Sequence, residues 1–182
     1  MRVMKSTVVL LGSLAALLAP AAAKADVLMT YYDNGLTVEP IDLLTGTFNL
    51  QYERAFSPSW SAYLGLNYLY VSGADQPNSG TQLALGPEIG LRLYLIGRAP
   101  AGLWIGPDLS TAWVRDVSYG QEFDSLGYSV GGMVGVNLVL GHFTGSLGFG
   151  GNFYDYSHYD GATRVGFYGL EMRERLAVGV VF

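Results

Sequence analysis

The chain has 182 residues, half of them apolar, with 15 acidic and 10 basic residues, 25 Gly, 13 Tyr and no Cys. A formal net charge of −5 has the wrong sign for a nucleic-acid binder. The lack of Cys excludes disulfides, thiolate nucleophiles and Cys-based metal sites.

The first 25 residues read as a secretory signal peptide. Arg2 and Lys5 form the positive n-region, Val8 to Leu18 the apolar h-region, and Ala23-Lys24-Ala25 a small-x-small cleavage site. Ala23 is an alternative cleavage point, and the apolar run is short for a membrane anchor. Cleavage after Ala25 removes Arg2, Lys5 and Lys24. It leaves residues 26–182 as one domain with a net charge of −8 and no lysine. No later segment approaches the 18 apolar residues of a membrane helix.

Beyond the leader the hydrophobic period is 2, not 3.6, which predicts strands. A first strand is expected somewhere in Met29 to Ile41, with Pro40 suiting its end. Phe48, Leu50, Tyr52 and Phe56 then alternate with Asn49, Gln51, Glu53 and Ala55. After the turn SPSW, Trp60, Ala62, Leu64, Leu66, Tyr68 and Tyr70 alternate with Ser61, Tyr63, Gly65 and Asn67. Residues 81 to 96 set Leu83, Leu85, Ile89, Leu91, Leu93 and Leu95 against Ala84, Gly86, Glu88, Gly90, Arg92 and Tyr94. Leu103 to Val114, Leu126 to Leu140, Phe143 to Asp155 and a last strand from about Tyr168 repeat the pattern. Short turns (SPSW, GRAPAG, GH) alternate with expected long loops at 73–80, 116–125 and 156–167. This is the rhythm of outer-membrane barrels. The predicted fold is all-β: an eight-stranded antiparallel up-and-down transmembrane β-barrel.

Alternation alone does not separate a lipid-facing barrel from a lipocalin-like one with its apolar face inside. Size does, because eight strands enclose a lumen that side chains just fill. Gly65, Gly86, Gly90, Gly106, Gly127, Gly131, Gly135, Gly148, Gly150 and Gly179 share the polar face, and Leu, Val and aromatics the other. Small and polar residues therefore belong inside. Trp60 and Tyr70 are ten residues apart on one face, as are Phe143 and Phe153; at about 3.4 Å per residue and a tilt of about 40° that rise is roughly 26 Å. It matches an apolar band about 25 Å tall with aromatic girdles at both edges. Phe56, Trp60, Phe143 and Phe182 would mark the inner rim. Tyr68, Tyr70, Trp113 and Phe153 would mark the outer rim. Arg54 and Glu174 fall on the apolar face near its edges, where their charges can snorkel.

GTFNLQYERAFSPSWSAYLGLNYLY, residues 46 to 70, together with the alternating last strand, resembles the small outer-membrane β-barrels of the OmpA/OmpX/OmpW-like group. Within that group it is nearest a family of single-barrel proteins with no assigned activity. The resemblance covers about residues 30–182 and speaks to architecture. It implies a multi-pass protein of the outer membrane of a Gram-negative-type cell, in contact with lipid and lipopolysaccharide, and monomeric. In such proteins an alternating last strand with a terminal aromatic is the signal read by the barrel-assembly machinery. Leu176, Val178, Val180 and Phe182 match it. The implied role is structural or interactive. The alternatives are a narrow channel for small amphipathic solutes and a lipid A-modifying hydrolase.

The inward face carries Glu53, Glu88, Arg92, Asp108, Glu171, Arg173 and Arg175. Burying them unpaired is costly, so a plugging network is expected rather than a pore. Rim heights place Arg92 near Glu53 and Glu88 near Arg175. His142 falls in a turn. His158 lies beside Ser157, Asp155 and Asp160, but adjacent residues of a strand point apart and the His-x-Ser spacing of lipid A deacylases is absent. No enzymatic activity, cofactor or metal site is expected. The acidic loop residues Asp75, Asp116, Glu122 and Asp124 lack a DxDxDG-type calcium loop.

Overall fold

A computed structural model describes the backbone of residues 32–40, 46–71, 81–118, 121–160 and 163–182, and the side chains of 32–40, 46–70, 83–115, 124–157 and 168–182. The leader expected at 1–25 and the loop expected at 73–80 lie outside these residues. Eight strands form a closed antiparallel barrel in chain order. They are β1 Asn34–Val38, β2 Thr47–Ser57, β3 Trp60–Val71, β4 Thr81–Arg98, β5 Ala101–Ser118, β6 Gln121–Leu140, β7 Phe143–Asp160 and β8 Thr163–Val181.

Polar residues turn inward and apolar ones outward. Leu64, Leu85, Ile89, Leu109, Val130, Val134 and Leu176 are exposed on the wall, while Glu53, Glu88, Arg92, Asp108 and Arg175 are buried within it. The girdle residues Phe56, Trp60, Tyr68, Tyr70, Trp113, Phe143 and Phe153 are all exposed, as is Phe182. Arg54 and Glu174 are exposed on the same outer face. A bulge in β4 between Tyr94 and Ile96 places Leu95 and Ile96 both outside.

The turns follow local chemistry. Ser57 Oγ accepts the N–H groups of Ser59 and Trp60 at 3.3 and 3.0 Å, closing SPSW. Gly141 has φ +62°, which the two-residue turn Gly141-His142 needs.

The structure corrects two loop expectations. Residues 116–125 and 156–167 are largely strand: β5 runs to Ser118, β6 starts at Gln121, β7 runs to Asp160 and β8 starts at Thr163, not Tyr168. In the sequence, the apolar residues of these stretches are few and interrupted by Gly, Asp and Ser, so the alternation there is too weak to read as strand. The hydrogen-bond ladder needs no such alternation and continues.

The first strand is short. Its Gly35–Val38 pair with Val181–Val178 of β8. Asn34 locks this seam by exchanging backbone hydrogen bonds with Phe182, both 3.0 Å. Its Nδ2 also donates to Phe182 O at 3.2 Å, and its Oδ1 accepts Tyr52 Oη at 2.6 Å. Among the described residues, β8 above Val178 has no ladder partner on its β1 side.

Large lumen side chains lie over glycines. A Cβ on Gly90 would stand 2.4 Å from the Tyr63 ring, and one on Gly135 2.5 Å from the Trp104 ring. Replacing Gly90 by Val forces Tyr63 out of place and is expected to destabilise the barrel by about 1–3 kcal/mol in equilibrium urea unfolding.

Candidate functional site

The lumen holds the only dense set of buried charges among the described residues. Toward the short-turn end, Arg92 of β4 reaches over β3 to Glu53 of β2 and forms a buried ion pair. Ser61 stands between them, in register with Arg92 and with Ala55, and its small side chain leaves the crossing open. Ser61 Oγ also donates to Glu53. The Arg92 Nη2 donates to Gln51 Oε1 at 3.0 Å. The guanidinium is sandwiched between the rings of Tyr63 and Trp104, 4.6 and 4.5 Å from their centroids.

Three further hydrogen bonds fix this layer. Tyr94 Oη donates to Glu53 at 2.7 Å. Asn137 Nδ2 donates to Tyr94 Oη at 2.9 Å, and Trp104 Nε1 donates to Asn137 Oδ1 at 2.8 Å. Ala55, Tyr94, Ala99, Trp104 and Met133 pack together at this end as an apolar floor.

At mid-height Glu88 accepts hydrogen bonds from five side chains. Tyr63 Oη is at 2.9 Å, Asn67 Nδ2 at 2.7 Å, Asn49 Nδ2 at 3.3 Å and Gln51 Nε2 at 3.4 Å. Arg173 of β8 spans the lumen and grips both carboxylate oxygens, at 3.1 and 3.0 Å. Its Nη1 also reaches Asp108 of β5 at 3.3 Å. Arg175 turns to the β1 side, to Glu39 at 2.7 Å and Thr37 Oγ1 at 3.3 Å. Above the charges, Ala84, Ala112 and Val114 pack with Leu69 and Tyr156. The charged layer is thus enclosed between two apolar clusters.

Six of the seven predicted lumen residues meet in this network: Glu53, Glu88, Arg92, Asp108, Arg173 and Arg175. Glu171 does not. It shares their inward register but is exposed, on a stretch of β8 that no described residue pairs with on the β1 side. The Arg92–Glu53 pairing agrees with the height estimate. The expected Glu88–Arg175 pairing is corrected: Glu88 binds Arg173, and Arg175 binds Glu39. Glu39 follows β1, whose ends no alternation marks. Tyr63 and Tyr94 shared the polar register with Glu88 and Arg92, so alternation could have identified them. Trp104 stands two residues before Gly106, in the register of Asp108, and was masked by its apolar type.

His142 is a turn residue. Its Nδ1 lies 3.0 Å from Val181 O, its carbonyl accepts Val181 N–H at 2.8 Å, and its ring is 4.9 Å from that of Tyr32. Ser157 Oγ donates to Asp155 at 2.6 Å. The side chains of His158, Asp160, Asp116 and Glu122, and all of Asp75, lie outside the described residues. Two residues beyond Trp113 on the outer face, Arg115 binds Asp124 at 2.9 and 3.2 Å. These hydrogen bonds hold the Asp124 carboxyl below the usual carboxylate range. Compared with protein-family models, curated proteins and solved structures, the chain gives no match.

Arg92→Met would strand Glu53 in the lumen and is expected to cost about 3–5 kcal/mol in unfolding free energy. Adding Glu53→Gln should recover much of that loss, because no buried charge then lacks a partner. Urea unfolding followed by tryptophan fluorescence measures both.

Proposed function

We propose that this chain is an integral outer-membrane β-barrel with a structural or interaction role and a side-chain-filled, non-conducting lumen. The observation that carries the reading is the inversion of the usual pattern. Large apolar side chains line the exposed outer wall, and the buried charges lie within. In water such a wall is an aggregation liability, and in lipid it is the stable arrangement. The aromatic residues at both ends of the apolar band support a membrane position, with Arg115 and Asp124 above it among headgroups. The outward row Leu176, Val178, Val180 and Phe182 suits recognition by a barrel-assembly machinery. Lipid and lipopolysaccharide are the partners this surface fits.

The Arg173 span argues against a conduit, because it bridges the lumen from β8 to β4, and the Glu53–Arg92 pair fills the lumen beside β3. In planar bilayers the purified protein is expected to give no conductance steps above background. Steps lost on Arg92→Met would favour the narrow-channel reading instead.

Expressed with its leader in a Gram-negative host, the chain should fractionate with outer membranes, need detergent for extraction and migrate faster unheated than boiled. Recovery in the aqueous fraction without detergent would overturn the membrane reading.

A further inference from the structure

Two oxygens at the centre of the lumen lack a hydrogen-bond partner, Asp108 Oδ2 and Asn152 Oδ1. Their residues are 3% and 0% exposed. The two side chains are already joined, because Asn152 Nδ2 donates to Asp108 Oδ1. They meet over Gly131, which is in register with Asp108 on one side and Asn152 on the other. A Cβ on Gly131 would stand 2.3 Å from Asn152 Oδ1, so only glycine leaves the space for this contact.

An ionised carboxylate has no hydrogen to offer, and an amide oxygen can only accept. With Asp108 ionised, both orphaned oxygens therefore stay unsatisfied. One proton on Asp108 Oδ2 satisfies both at once. The acid then donates O–H to Asn152 Oδ1 while Asn152 donates N–H back to Oδ1, and the pair closes into a two-bond ring.

Charge counting leads to the same residue. Among the described buried groups, Glu39 is matched by Arg175 and Glu53 by Arg92. Arg173 alone serves two carboxylates, gripping Glu88 with both nitrogens and touching Asp108 with one. Four further side-chain donors serve Glu88, from Tyr63, Asn67, Asn49 and Gln51. The surplus negative charge therefore falls on Asp108. The groups that face Asp108 are Arg173 and Arg175 from β8, Glu88 from β4, Asn152 and Tyr154 from β7, and Tyr63 from β3. Besides Arg173, only Arg175 among them is cationic, and it is engaged by Glu39.

We infer that Asp108 is a lumenal proton-binding site, taking one proton from water at neutral pH and sharing it with Asn152 Oδ1. The site stands apart from the membrane reading, since it depends on the interior alone. Infrared spectroscopy of the folded full chain at pH 7 tests it. A neutral carboxylic acid gives a carbonyl stretch clear of the amide and carboxylate bands. That band should be present in the wild type, shift on carboxyl-¹³C labelling of Asp but not of Glu, and vanish in Asp108→Asn. The labelling needs no variant and so survives a folding defect in Asp108→Asn. Absence of the band at pH 7, as an ionised Asp108 bridged by water would give, overturns the inference. So does a band that ignores Asp labelling or persists in Asp108→Asn.

Discussion

The structure depends on one constraint: an eight-stranded barrel encloses a lumen too narrow for bulk water and too wide to leave empty. Side chains must fill it, and the outer face has already taken most of the large apolar ones. What remains for the interior is charged, amide and aromatic. The Glu53–Arg92 bridge shows how such groups can be buried. The guanidinium gains a carboxylate, the Gln51 amide oxygen and two aromatic faces in exchange for its hydration. The carboxylate gains Ser61 and Tyr94. Glycines at 90 and 135 make room for the rings that hold the guanidinium. The high glycine content and the buried charge are therefore two aspects of one packing solution.

The wall is uneven. Strands β4 to β8 have 18 to 20 residues each, β2 and β3 have 11 and 12, and β1 has five. The seam between β1 and β8 is the shortest ladder among the described residues, and it carries a compensating set of side-chain bonds. Asn34 ties β1 to Phe182 and to Tyr52, and Arg175 reaches from β8 to Glu39 and Thr37. A lumen ion pair thus reinforces a seam that few backbone hydrogen bonds hold. On the opposite, taller side, the ladder continues past Trp113 and Phe153.

Which face would be inside was legible in the sequence because side-chain size and polarity separated so cleanly by parity. Strand number followed from the seven period-2 segments and the one further strand expected before them, and six lumen charges from register. Partners were less legible. Two strands that are not neighbours, such as β4 and β8, meet only through the curvature and stagger of the closed sheet, and no local pattern encodes these. That is why Arg175 went to Glu39 and left Glu88 to Arg173. The strand ends at 116–125 were hidden for a different reason. Val117, Tyr119 and Phe123 still share one parity there, but Gly120 and Gln121 interrupt a run too short to be read as the ends of two strands.

The lumen network also fixes register. Slipping any strand by one residue moves its entire inward set to the outer face. In this barrel every strand contributes at least one side chain to the polar interior: Thr37, Glu53, Tyr63, Arg92, Asp108, Asn137, Asn152 and Arg173, from β1 through β8. A slip would therefore carry a charge, or an amide or hydroxyl, onto the apolar wall and leave its partner unpaired inside. A wall of interchangeable Leu and Val discriminates poorly between registers. The polar residues supply the discrimination, because Arg173 can satisfy Glu88 and Asp108 together only when β4, β5 and β8 are all in place. On this view the buried charges define which barrel forms, and their cost is tolerated for that specificity.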